Sequence, residues 1–453
     1  MASAQIAPAP LAPVPFNISE PIREKLSNGL RVVHFPEDRV PLASYRLTFF
    51  RGDAHDPKDR IGLTSATAAM LTEGTLNYSS RDLAEKIERL GAGLSTNASD
   101  DFTSIGASTL SIYAEEILSL IAEVLFRPTF PESELDLYKR NALENLKYQR
   151  SQPNFLANEQ TARLIYGHHP YSIVSPKAKD YEKLDRESLI KFHESSYQPN
   201  NAALLVVGDI EHDALMRQVE EFFGDWPSAD FTLPANDPIP ERETRTLTIV
   251  DRPGSAQANI VLSNIAIPRN HPDHFPTVVM NQILGAGASS RVFMNLREEK
   301  GYTYGAYTRV DSKKQAGDFE ATAEVRTAVT GDSLKEFFYE LNRIRDDKVL
   351  AEELADAKSY LTGVFPIRAE TQEGLSSLVA SQVLYGLPDD YLQTYRDNID
   401  AVTIDDVQRV ANSYIHPDRL AMVIVGDAAE ILPQAKEYAE DVEVLGKRIR
   451  RGR

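Results

Sequence analysis

Apolar positions along the chain follow two periods. Residues 30–35, just after the Asn28-Gly29 turn, and residues 44–50 alternate apolar and polar side chains, as half-buried strands do; they are read as a strand pair. Residues 101–110 read as a further strand. Residues 83–90 and 113–125 place apolar side chains three and four apart, which predicts amphipathic helices. A long helix is predicted over 132–149, with Leu135, Tyr138, Ala142 and Leu146 on one stripe. Runs of helices between hairpin-type strands predict an α+β fold rather than a doubly wound parallel sheet.

The pattern occurs twice. Residues 201–210 (NAALLVVGDI) and 420–428 (LAMVIVGDA) are both apolar runs closed by Gly-Asp, as for a buried strand that leaves its sheet at a glycine. Ser196-Tyr197 and Ser413-Tyr414 precede them, each followed by a proline. Tyr166-Gly167 is echoed by Tyr385-Gly386, and Glu134-Leu135 by Glu353-Leu354. All four pairs stand 217 to 219 residues apart, so the chain is a duplication of one domain.

At about 100–200 residues per domain, 453 residues suit this division. Prolines mark its limits. Pro8, Pro10, Pro13 and Pro15 predict an extended arm over 1–20, and Pro227, Pro234, Pro238 and Pro240 an interdomain linker over 227–246. The two domains are then 21–226 and 247–445, with a basic tail at 446–453 that reads as a solvated end.

Composition removes whole classes of chemistry. A net charge of −18 argues against general nucleic-acid binding, and the lack of any cysteine removes thiolate metal sites, disulfides and cysteine nucleophiles. There is no phosphate-binding G-x-x-x-x-G-K-[ST], no G-x-S-x-G elbow, neither H-E-x-x-H nor H-x-x-E-H, and no apolar run long enough for a transmembrane helix. His271-Pro272-Asp273-His274 reads as a surface turn, and Gly285-Ala286-Gly287 as a close-packing turn. The small residues Ala2-Ser3-Ala4 look like the remnant of a signal cleavage site, which predicts a periplasmic or otherwise exported protein; a low-complexity cytoplasmic start is the alternative.

Residues 62–75 (GLTSATAAMLTEGT), with Arg51-Gly52-Asp53 ahead of them, resemble the zinc-motif helix of the pitrilysin/insulinase metallopeptidases. In active members that helix bears H-x-x-E-H, two zinc ligands flanking a general base. The resemblance lays those positions on Ser65, Ala68 and Ala69, and lays the third ligand, a later glutamate, on Asn145. None of the four suits the task, since alanine has neither a lone pair nor a proton to move. Residues 288–308 (ASSRVFMNLREEKGYTYGAYT) resemble the segment of the family's second domain in which an arginine and a tyrosine grip the substrate backbone. Here these fall on Arg297 and Tyr304, a guanidinium and a phenol able to donate to a peptide carbonyl. Without the surrounding match, Arg297 would instead pair with Glu298 or Glu299, and Tyr304 would fill core.

The resemblance runs from about residue 22 to 427 and extends to processing-peptidase alpha-type subunits and bacterial heterodimeric members. It implies two α/β-roll domains of the LuxS/metallopeptidase-like type forming half of a clamshell. It implies a chain without zinc, inactive alone, that binds peptide substrates for a homologous H-x-x-E-H partner supplying the metal. Two alternatives stay open: a structural scaffold like the peptidase-related core subunits of respiratory complexes, and an independent hydrolase using other residues.

Overall fold

The structure is a computed structural model that describes residues 16–446; residues 1–15 and 447–453, with most of the expected proline-rich arm and basic tail, lie outside the described residues. The first half builds a six-stranded sheet from β1 (Ile22–Lys25), β2 (Arg31–Pro36), β3 (Leu42–Phe49), β4 (Gly93–Ala98), β5 (Thr103–Leu110) and β6 (Ala202–Gly208), in the order β1-β2-β6-β3-β5-β4. The second half builds another from β7 (Thr246–Asp251), β8 (Gln257–Ala266), β9 (Thr303–Ser312), β10 (Gly317–Arg326), β11 (Ala421–Gly426) and β12 (Asp441–Leu445), in the order β12-β7-β11-β8-β10-β9. Five positions correspond one for one, including the parallel contact of β2 with β6 and of β7 with β11. The outermost strand beside β2 or β7 differs. β1 joins antiparallel to β2, whereas β12 lies parallel to β7. This is the duplicated α+β fold that the chain's pattern predicts.

The expected strand pair is a correction. β2 and β3 are not neighbours, because β6 lies between them and pairs with both. All seven residues of β6 are buried, and so wholly apolar a strand belongs at the centre of a covered sheet. The Asn28-Gly29 turn instead joins β1 to β2, with Gly29 at φ 99°, a conformation that favours glycine. The long helix spans Glu132–Ser151, with Leu135 and Leu146 of the predicted stripe buried.

Each half lends a helix to the other's sheet. The Pro153–Tyr166 helix packs on β8 and β11, where Ala157 joins Val261, Val423 and Val425 in one apolar cluster. Reciprocally, the Gln372–Leu384 helix lies on β6 and β3, its Leu375, Val379 and Ala380 against Val33, Phe35, Leu205 and Val207. Gln372 opens that helix by donating its Nε2 to the carbonyls of Leu42 and Val207 at 2.9 and 2.8 Å. The hairpin tips also meet. Lys313 Nζ lies 2.7 Å from Asp100, while Asp101 accepts the Lys314 N–H at 3.0 Å and the Tyr171 hydroxyl at 2.6 Å. No helix or strand lies between Phe223 and Thr246. Among the described residues, no helix is long and apolar enough to cross a membrane.

Candidate functional site

The Leu63–Met70 helix starts on two carboxylates. Asp56 accepts from the backbone N–H groups of Gly62 (2.7 Å) and Thr64 (3.0 Å) and from the Thr64 hydroxyl (2.6 Å). Asp53 accepts from the backbone N–H of Ser65 (3.0 Å) and its hydroxyl (2.6 Å). These bonds satisfy N–H groups that a helix start otherwise leaves open, and negative charge is favoured there. Burial nevertheless pushes the Asp53 carboxyl up to about 6, and burial together with Asp53 pushes Asp56 up to about 7.

The positions expected from the zinc motif separate. Ser65 spends its hydroxyl on Asp53, and Ala68 is buried. Ala69 and Asn145 come together on a cavity of about 420 Å³ between the Leu63–Met70 and Glu132–Ser151 helices. Glu73, Glu134, Tyr138 and Asn141 share that cavity; Ser65 and Ala68 do not line it. Its polar lining is two carboxylates, two carboxamides and the phenols of Tyr138 and Tyr181, with no imidazole. Among the described residues no group of three or more His, Asp or Glu is arranged to hold a metal ion. These residues do not fit a tetrahedral zinc site. Glu144, beside Asn145, turns away to pair with Lys147 at 2.6 Å.

The second segment is anchored by a residue the sequence reading passed over. Arg291 is 8% exposed and holds Glu353 with two hydrogen bonds, Nε at 2.7 Å and a terminal nitrogen at 2.8 Å. Glu353 also accepts the backbone N–H of Leu350, at the start of the Ala351–Glu370 helix. Gly285 lies so close to Thr308 that a Cβ there would sit 2.3 Å from its hydroxyl, which is the close packing expected of that turn. Six residues beyond Arg291, Arg297 is half-exposed, 3.2 Å from Glu298, with its guanidinium 4.9 Å from the centre of the Phe293 ring. Tyr304 is 90% exposed and so does not fill core. It lies in β9, the outermost strand, where the register with β10 shifts between Ala323 and Val325. Such a bulge re-aims a side chain.

Asp53 and Asp56 stand ten and seven residues ahead of Leu63, too far to be read as caps, which sit immediately before the first helical residue; only the intervening turn brings them to the helix start.

Comparison with known proteins places this geometry. Residues 32–175 match the family model described as insulinase (peptidase family M16), and residues 183–361 the one described as peptidase M16 inactive domain. An uncharacterized zinc protease of Bacillus subtilis, YmxG, is 24% identical over 402 residues, 87% of this chain and 96% of that protein. A non-peptidase homolog of Helicobacter pylori is 22% identical over 87% of this chain and 91% of that protein. The crystal structure of a peptidase M16 inactive domain from Pseudomonas fluorescens superposes with a TM-score of 0.83 at 26% identity, covering 90% of this chain and 98% of that one. A protease from Helicobacter pylori shares the fold, with a TM-score of 0.84 at 19% identity over 90% of this chain and all of that one. The chain belongs to the insulinase family, peptidase family M16, and carries the family's inactive domain over residues 183–361.

Proposed function

We propose that this chain is the non-catalytic, substrate-binding subunit of a heterodimeric zinc peptidase that degrades or processes unfolded peptides. In this reading a homologous H-x-x-E-H chain supplies the zinc, while Arg297 and Tyr304 hold the peptide backbone across the chamber. One observation supports it above the rest. Tyr304 exposes 90% of its surface on an outermost strand, and its hydroxyl meets no partner among the described residues. A large aromatic side chain left bare is the kind of group that anchors a binding partner. The phenol and the guanidinium of Arg297 would donate to the carbonyl next to the scissile bond and to the oxyanion that develops there. The partner's metal would activate the water.

The alternative is a structural scaffold, and the Arg297–Glu298 ion pair favours it, because a paired guanidinium has less to offer a substrate. Cleavage of a quenched fluorescent peptide separates the two. The chain alone should be silent, and mixing it with an H-x-x-E-H homologue from the same source should give chelator-sensitive cleavage well above the homologue's own rate. A mixture that binds but shows no gain would leave the scaffold.

A further inference from the structure

Strands β9 and β10 set two aspartates directly opposite each other. In their antiparallel register Asp311 faces Asp318, and one step along the same face Arg309 faces Glu320. Like charges directly across an antiparallel pair are destabilising. A single guanidinium serves three carboxylates here. Arg309 lies 3.1 Å from Glu320, 3.5 Å from Asp311 and 3.6 Å from Asp318. The Tyr166 hydroxyl donates to Asp318 at 2.9 Å.

These groups line a cavity of about 260 Å³, closed on its other side by the Pro153–Tyr166 helix that the first half lends to this sheet. Four carboxylates line it (Asp100, Asp311, Asp318 and Glu320) against two cations, Arg309 and Lys313. Lys313 is already committed to Asp100, 2.7 Å away, with its ammonium 4.8 Å from the centre of the Tyr171 ring. The lining therefore has two negative charges in excess. Burial pushes the Asp318 carboxyl up to about 6 against the pull of Arg309, and Asp311 adds to the rise.

A second observation concerns Thr161, which lines the same cavity. It is 3% exposed, and its hydroxyl oxygen is buried without a hydrogen-bond partner. A buried polar atom left unpaired costs free energy that a bound N–H donor would recover. Ile165, Ile173 and Val174 add apolar wall.

We propose that this cavity binds one organic cation, an alkylammonium or guanidinium group on a short apolar stem. Asp311 and Asp318 would take its charge, the Thr161 hydroxyl would accept one of its N–H groups, and the stem would lie on Ile165 and Val174. The shared chemistry could come from a free amine or from a basic side chain of a peptide. The proposal is independent of the role assigned to Arg297 and Tyr304.

The test is calorimetric titration and thermal unfolding of the full chain at physiological salt with three probes: agmatine, Nα-acetyl-arginine amide and an acetylated Ala-Arg-Ala amide. Binding by wild type is expected, and Asp311→Asn should weaken it roughly tenfold, the equivalent of one charge-assisted contact. The same substitution relieves the opposed pair, so it should hold or raise the unfolding midpoint of the ligand-free protein. Ala162→Trp, which fills the cavity without changing its charge, should abolish binding. Agmatine binding tighter than the peptide assigns a free amine, and the reverse order assigns a peptide side chain. The site does not exist if no probe binds, if magnesium or sodium chloride reproduces the stabilisation, or if Asp311→Asn leaves affinity unchanged.

Discussion

The hydroxyl of Ser65 lies 2.6 Å from one carboxylate oxygen of Asp53, and the backbone N–H of Ser65 lies 3.0 Å from the other. At the position where active relatives are expected to present a metal ligand, this chain has a serine that fastens its own helix. Ser65→Ala should therefore cost about 1.5–3 kcal/mol, the range for a hydrogen bond to a charged group. Denaturant unfolding measures it, and Ser65→Thr should recover most of the loss.

Burial sets opposite pH dependences in the first half. The Asp53 and Asp56 carboxyls titrate near 6 and 7, above their unfolded range, so their contribution is complete below about pH 4 and is lost as pH rises through those values. Burial, helped by His212, holds His34 down to about 4, and burial holds His193 at about 4. Their contribution is complete above about pH 6.5 and is lost as pH falls towards 4. Stability against pH, followed by urea unfolding, should respond in two ways. His34→Gln should flatten the acid limb between pH 6.5 and 4, and Asp56→Asn should flatten the limb through neutrality, each by at most about 1.4 kcal/mol per pH unit.

Arg291 and Glu353 form a bidentate pair with the arginine almost wholly buried. Arg291→Ala leaves the carboxylate without its partner and should cost about 3–5 kcal/mol. Replacing both residues with Met and Leu should cost less than the single change. Thermal unfolding distinguishes this structural arginine from Arg297, six residues on.

Tyr304→Phe and Arg297→Ala should leave the chain's stability within about 0.5 kcal/mol, as exposed substitutions do. If the two residues hold substrate, cleavage by the assembled pair should fall by roughly 10²-fold for Arg297→Ala. Size-exclusion chromatography should show assembly unchanged. Unaltered turnover would end the assignment of the grip to Arg297.

Chains cut between residues 226 and 246 should not yield two independent domains. Residues 16–226 alone would expose Val33, Phe35, Leu205 and Val207, which the Gln372–Leu384 helix covers. At about 25 cal/mol per Å², that much bare apolar area favours aggregation over a soluble fold. Co-expression with residues 246–446 should restore a soluble complex, seen as one peak by gel filtration.

What could be read beforehand depended on burial. The Gly-Asp strand ends at Gly208 and Gly426 were legible because β6 and β11 are apolar throughout, and a covered strand must be. β1 and β4 escaped notice because all of β1 is exposed and β4 reads GLSTNA, with nothing to alternate. Ala69 and Asn145 could be paired only through resemblance, since neither side chain has chemistry of its own to draw attention. The aspartates Asp311 and Asp318 stand seven residues apart in the sequence, and only the hairpin register turns them into a facing pair. The exchange of helices was beyond reach. The apolar stripe of residues 153–166 says that the helix is covered but not by which sheet.

That exchange decides what kind of machine the chain can be part of. A book opens because each cover keeps its own pages, but here each cover is bound through the other's spine. The two halves cannot swing apart about residues 227–245 without stripping a helix from each sheet. In the heterodimer proposed above, the chamber would then open along the seam between subunits, with the whole chain moving as one wall.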